Sequence, residues 1–303
     1  MPARPSPHSG RRKRALSQNN LMRRRAFVAA SLSLAATSAF ADDKPLQDRG
    51  VRFSVTGALT QGSLAMGSAP PGSLVALDGR PLRVTADGRF AFGFGPDQTK
   101  AVLVTVRYPE GGGDSRSLTP SPRQYEVQRV NGLPQKTVTP PPEVSLRIAH
   151  EAETIYLARL TDTAGSDFLA GFDWPAPGIE SGVFGSQRID NGTPMAAHYG
   201  VDMAAPTGTP IHAPADGVVS ICDDYYLDGG FTLIDHGQGV STSYLHQSKR
   251  LVKVDDVIRR GQRIGLIGAT GRATGPHLHW AMNWFEVRLD PSLSTKKPKP
   301  DPL

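Results

Sequence analysis

Two histidines stand two apart in Gly275-Pro276-His277-Leu278-His279-Trp280. Residues i and i+2 of a strand share a face. Upstream, His198-Tyr199-Gly200-Val201-Asp202 adds an imidazole and a carboxylate. Together they supply three nitrogen or oxygen donors for a metal and one imidazole to spare. Three protein ligands with one open position is the arrangement of a catalytic zinc, so the chemistry in prospect is zinc-dependent hydrolysis. Six of the eight histidines lie between 198 and 279, a concentration that random scatter does not give.

The elements that must position these side chains read as short strands. From about Trp174 onward, residues 209–213, 217–222, 231–235, 240–245, 251–254 and 263–267 are apolar runs punctuated by Gly and Pro, with no long helix between them. Gly268-Ala269-Thr270-Gly271 and Thr274-Gly275-Pro276 let the chain turn sharply before the His-x-His strand. Earlier, Asp78-Gly79 and Asp87-Gly88 separate alternating apolar runs, which is a hairpin signal. Residues 101–108 read as a further strand, 110–117 as a Gly- and Ser-rich loop, and 125–130 as one more strand. The expectation there is a small β-sandwich of about five to seven strands. Pro140-Pro141-Pro142 marks a linker. Apolar residues at 148, 149, 152, 155, 156 and 160 then have helical spacing. The fold class is therefore mainly β. An N-terminal extension and secretion signal (1–41) precedes a sandwich-like accessory domain (42–135). A Pro-rich linker with one helix (136–175), an all-β catalytic domain (176–295) and a disordered Lys/Pro tail (296–303) follow.

The net charge of +6 invites a polyanion partner, but its distribution removes that reading. Eight of the 34 Arg and Lys lie in residues 1–41, which hold no Asp or Glu. The remaining 26 basic side chains face 28 acidic ones, a net of −2. Nucleic acid is not an expected partner. The leader has the physical form of a secretion signal. Arg23-Arg24-Arg25 is a positive start, residues 26–36 are apolar or small and too short to span a bilayer, and Ala39-Phe40-Ala41 fits a small-x-small cleavage site. No second apolar run reaches membrane length, so no membrane span is expected in the mature chain. The single cysteine, Cys222, makes no internal disulfide and reads as a small buried residue on a strand.

The sequence resembles the M23 peptidases, the lysostaphin- and LytM-like peptidoglycan endopeptidases. The likeness rests on His198-Tyr199-Gly200-Val201-Asp202, on the Pro- and Gly-rich stretch from Ala205 to Val219, on Tyr244-Leu245-His246 and on Gly275-Pro276-His277-Leu278-His279. It covers about residues 178–292, and the β region before it looks like that of secreted Gram-negative members. The resemblance implies a barrel-sandwich-like catalytic domain. It makes His198, Asp202 and His279 the zinc ligands, and it places His246 and His277 beside the metal-activated water. It implies hydrolysis of peptide cross-links in peptidoglycan stem peptides, in the periplasm or cell envelope, with a partner in the cell-wall machinery. The alternative is a non-catalytic regulator of the same fold that activates a cell-wall amidase; such proteins usually lose ligands. Which of His246 and His277 is the general base stays open, as does the bond cleaved. Outside the set, His212 and His236 read as structural, Asp216 and Asp235 as turn residues, and Trp280, Trp284 and Phe285 as core. Arg188 reads as a surface salt bridge with a substrate carboxylate as its alternative. His150-Glu151 lacks the second histidine of a His-Glu-x-x-His helix, because residue 154 is Thr, and reads as an exposed helix pair.

Overall fold

A computed structural model describes residues 51–296. The secretion signal and nearly all of the Lys/Pro tail lie outside the described residues.

Asp78-Gly79 closes the hairpin expected of it. Both residues have positive φ (48° and 81°), and the strands Leu74–Leu77 and Arg80–Leu82 pair antiparallel across it. Asp87-Gly88 does something else. Gly88 N–H donates to the Thr85 carbonyl, so a tight turn forms, but Arg89–Gly93 pairs with Leu64–Ser68 instead of with the preceding strand. The turn carries the chain from one sheet to another. One sheet holds Ser54–Thr56, Leu64–Ser68 and Arg89–Gly93. The other holds Leu74–Leu77, Arg80–Leu82, Val102–Arg107 and Gly113–Leu118. The seven strands fall within the expected five to seven, but most of the Gly- and Ser-rich stretch read as a loop is a strand, Gly113–Leu118, paired with Val102–Arg107.

The strand read at 125–130 is also relocated. Val127–Val130 runs parallel to Gln187–Asp190, which pairs in turn with Thr193–Pro194. It thus joins the segment leading to His198. The first sandwich sheet is buried on both faces at residues 90–93. A Cβ at Gly93 would come within 2.9 Å of Leu289 Cδ2 and 3.0 Å of Trp284 Cβ, so glycine permits this close approach. Phe90, Phe92, Val104, Trp280 and Leu289 accordingly share one hydrophobic core.

The C-terminal half is built on an antiparallel sheet of eight strands. Its central members are Gly217–Tyr225, Gly229–Gly237, Val240–Gln247, His277–Trp284 and Val201–Ala204, in that spatial order. Gly229–Gly237 is buried at every position, its polar Thr232, Asp235 and His236 included. A three-stranded sheet of Pro210–His212, Arg263–Leu266 and Lys249–Arg250 accompanies it. Residues 251–254 do not form the expected strand. They turn, with the Lys253 N–H donating to Asp256 Oδ2, and three of the four are exposed.

The helix after the prolines runs Ser145–Arg159. It packs through Ile155 onto Ile221, Tyr225, Phe231 and Leu233. Its inward face follows its apolar residues only in part. Tyr156 and Leu160 are exposed, whereas Arg159 is buried and Glu151 is turned inward. Among the described residues, no helix is long and apolar enough to cross a membrane.

Candidate metal centre and its cleft

Strand register assembles the donors. Asp202 lies directly opposite His279, and Ala204 opposite His277. Residues paired in this way have Cβ atoms about 5 Å apart on one face. Leu278, between the histidines, points to the other side and is fully buried. His198 precedes its strand and is pinned by its backbone: its N–H donates to the Ser186 carbonyl and its carbonyl accepts from Gly185 N–H.

The three predicted ligands converge. His198 Nε2 is 3.0 Å from Asp202 Oδ1 and 2.9 Å from His279 Nδ1, and His279 Nδ1 is 2.8 Å from Asp202 Oδ1. The Val183 carbonyl lies 3.0 Å from His198 Nδ1. That contact puts the ring proton on Nδ1 and turns the Nε2 lone pair toward the cluster. Ligands of a tetrahedral ion with bonds of about 2.1 Å sit roughly 3.4 Å apart. A triangle of 2.8–3.0 Å needs only slight expansion to meet that, so the residues fit a metal ion.

Electrostatics agree with ligation. Burial pushes His279 down to about 4, which leaves its ring neutral at pH 7. Burial works against the charge of Asp202 as well. The close imidazoles of His198 and His279 outweigh it and hold the carboxyl well below the usual carboxylate range. Arg188 Nη2 reaches Asp202 Oδ2 at 2.5 Å. This corrects the reading of Arg188 as a surface salt bridge: Asp202 is buried and Arg188 half-buried, and the pair fixes the rotation of the Asp202 carboxylate. Nothing in the spacing of Arg188 announces that role. Two glycines make room. A Cβ on Gly200 would stand 2.5 Å from His279 Nε2, and one on Gly182 would stand 2.4 Å from Asp202 Oδ2.

His246 and His277 complete the group, with ring centroids 4.7 Å apart. His246 arrives by an irregularity. In a regular strand it would face away from Leu245, the residue paired with His279. Here Leu245 and His246 together oppose Phe231, which is a β-bulge, and His246 has φ 62°. The bulge swings the imidazole to 6.3 Å from the ring of His279. His246 Nδ1–H donates to the Thr270 carbonyl at 2.8 Å, and His277 Nδ1–H donates to the Gly275 carbonyl at 2.9 Å. Both rings therefore keep Nε2 free to accept a proton. Burial, and then the neighbouring His277 and His279, push His246 down to about 3, so its ring is neutral at pH 7.

Two cavities meet at the cluster. A larger one of about 340 Å³ is lined by His198, His246 and His279 and walled by the helix Ser145–Arg159. A smaller one of about 220 Å³ is lined by Asp202 and His277. Arg188 and Arg272 line both. An extended chain running from one to the other would pass over the donors.

Residues 196–291 match the sequence profile of peptidase family M23. The chain contains a peptidase M23 domain. It is 49% identical over 88 residues to the peptidoglycan DD-endopeptidase ShyA of Vibrio cholerae, and 34% identical over 145 residues to ShyB of the same organism. These alignments take in 29% and 45% of this chain but only 20% and 34% of the relatives, so the chain spans about a fifth to a third of their length. A crystal structure from Pseudomonas aeruginosa, of a protein assigned to peptidase M23, superimposes with a TM-score of 0.60 at 28% identity, covering 77% of this chain and 93% of that one. The likeness in fold therefore extends beyond the M23 domain into the preceding strands.

The remaining sequence-level residues lie elsewhere. His236 is buried, with the Asp216 carbonyl and Thr242 Oγ1 each at 2.7 Å. His212 sits on the smaller sheet opposite Arg263. Asp216 caps a turn by accepting from Arg260 N–H, while Asp235 lies within a strand and accepts from Gly237 N–H and the Thr163 hydroxyl. Trp280, Trp284 and Phe285 are core. Cys222 is half-buried on its strand, and burial raises its thiol pKa. His150 is exposed, but Glu151 is not: it accepts from Arg147 Nε at 2.6 Å and from Tyr226 N–H at 2.9 Å at the cavity wall. Sequence reasoning missed Arg159, Arg272 and Arg288, all of which line the larger cavity.

Proposed function

We propose that this protein is a zinc-dependent endopeptidase that hydrolyses peptide cross-links of peptidoglycan in the cell envelope. The observation that carries the reading is the convergence of His198 Nε2, Asp202 Oδ1 and His279 Nδ1, with His246 and His277 facing the same space. Two imidazoles and one carboxylate suit zinc. A bound zinc supplies Lewis-acid polarisation of the scissile carbonyl and a nucleophilic water at neutral pH. The free Nε2 atoms of His246 and His277 are placed to take the proton of the attacking water and return it to the leaving amine. Once protonated, either ring can stabilise the developing oxyanion. The two cavities bind the peptide on either side of the donors. Arg188 fixes the Asp202 carboxylate, and Val183 fixes the His198 ring.

The substrate class is supported by the relatives, which are named peptidoglycan DD-endopeptidases. The leader supports export. We infer D-alanyl–diaminopimelate cross-links as the bond cut. The rival reading, a non-catalytic activator of a cell-wall amidase, is disfavoured because no ligand is missing. The test is digestion of purified Gram-negative sacculi by the zinc-loaded protein beside His279→Ala. Conversion of cross-linked dimers to monomers by the wild type alone is the expected result. Intact dimers from both proteins, despite bound zinc, would remove the proposal.

A further inference from the structure

The larger cavity carries more positive charge than its neighbours neutralise. Four guanidiniums line it, those of Arg159, Arg188, Arg272 and Arg288, with the carboxylates of Glu151 and Asp228. Two of these groups are already paired: Arg188 with Asp202, and Glu151 with Arg147. Arg159, Arg272 and Arg288 then face Asp228 alone. Among the described residues, none of these three arginines forms an ion pair within 4 Å.

Arg159 is the most telling. It ends the helix, is 8% exposed, touches Ser243 Oγ at 3.3 Å through Nη2, and has no hydrogen-bond partner for Nε. A guanidinium withdrawn from water without a matching anion is costly. Burial, and then the charge of Arg288, push Arg159 down to about 9. Arg288 lies over the Tyr199 ring at 5.7 Å from its centroid. Such a set of unmatched forks is suited to a planar anion, which it can bind through two parallel hydrogen bonds.

We infer that this cavity is a carboxylate-binding subsite, in which Arg159, Arg272 and Arg288 receive a free carboxylate of the peptide close to the bond presented to the metal centre. The inference rests on the peptidase reading above and deepens it. His198, His246 and His279 line the same cavity, so the carboxylate belongs to a residue at or beside the cleaved bond. Peptidoglycan stem peptides offer two such groups, the C-terminal carboxylate and the free carboxylate of the diamino acid. The cavity volume of about 340 Å³ admits a side chain of that size. The helix is thereby part of the substrate site and not only a connector.

The test uses the zinc-loaded full chain and a stem tetrapeptide ending in D-alanine, which has no cross-link to cut. Three forms of it are titrated by calorimetry: both carboxylates free, the terminal one amidated, and the diamino-acid one amidated. Amidation of one carboxylate is expected to weaken binding by about 10- to 100-fold, the usual worth of a charge-assisted hydrogen bond. Whichever form loses affinity identifies the source. Arg288→Gln, and Arg159→Gln if it folds, should lower affinity for the free form to that of the amidated form and abolish the difference between them. If amidation changes nothing, or if the difference survives Arg288→Gln, the subsite is overturned; the second result would mean that the metal itself reads the carboxylate. No binding of any form, while sacculi are still cut, overturns it as well. Discrimination between the forms without cleavage of sacculi keeps the subsite and removes the peptidase reading.

Discussion

Arg188 Nη2 lies 2.5 Å from Asp202 Oδ2, while the other oxygen of the same carboxylate faces His198 and His279. One side chain thus sets the rotation of a proposed metal ligand from behind. Partners of this kind typically contribute 10- to 100-fold to metal affinity. Arg188→Met should therefore keep the fold and weaken zinc binding by roughly that factor. Competition with a chromophoric chelator measures it, and wild-type affinity in the variant would refute the positioning role.

Glycine geometry gives a sharper contrast. A Cβ on Gly200 would sit 2.5 Å from His279 Nε2 and 2.8 Å from the Trp280 carbonyl oxygen, whereas one on Gly275 would meet nothing within 4 Å. Gly200→Ala must displace either a ligand ring or the strand that carries it. We expect Gly200→Ala to lose stoichiometric zinc and Gly275→Ala to retain it. Metal analysis of the two purified proteins decides the matter, and equal zinc content would show that the ring can move aside.

The convergence of His198, Asp202 and His279 was legible because its signals are local. His277 and His279 share a strand face by the period of two, and His198 and Asp202 sit close in sequence at the start of another strand. The Asp78-Gly79 hairpin was legible for the same reason. What escaped is what long-range pairing decides. Asp87-Gly88 is the same dipeptide, yet its second strand finds Leu64–Ser68, a partner that no local rule selects. Val127–Val130 finds Gln187–Asp190. The helix was found from its apolar spacing, and Ile148, Ala152 and Ile155 of that set line the larger cavity, as do the charged Glu151 and Arg159. Ile155 turns inward, while Leu160 is exposed and the neighbouring Arg159 is buried, because the helix borders a charged cavity. Arg159, Arg272 and Arg288 come together from three distant segments, so their proximity is a property of the tertiary structure alone.

Acid sensitivity should be built into the core at His236. The ring is 1% exposed, and burial pushes it down to about 4 from an ordinary value of 6.5. Above pH 6.5 both folded and unfolded forms are neutral there, and the group adds no pH dependence. Below 6.5 the unfolded chain takes up a proton that the folded chain refuses, so stability falls until about pH 4 and then levels. A shift of this size corresponds to roughly 2–4 kcal/mol. Urea midpoints from pH 7 to pH 4 should fall more steeply for the wild type than for His236→Gln. Parallel curves would show that other groups govern the acid limb.

Metal retention separates the two roles proposed for the histidines. His246 and His277 stand beside the donor triangle but outside it, held by the Thr270 and Gly275 carbonyls. Their replacement by Ala should leave zinc content near one ion per chain and lower kcat by about 10²- to 10⁴-fold, the usual worth of general acid–base catalysis. His198→Ala, Asp202→Ala and His279→Ala should lose both zinc and activity. The bulge that delivers His246 adds a second check. Its φ of 62° costs a non-glycine residue of order 1–3 kcal/mol, so His246→Gly should be no less stable than His246→Ala while remaining as inactive. If either variant at 246 or 277 sheds its zinc, that histidine is a ligand and the division of labour proposed here is wrong. If either keeps full activity, the proton must travel through the other ring alone.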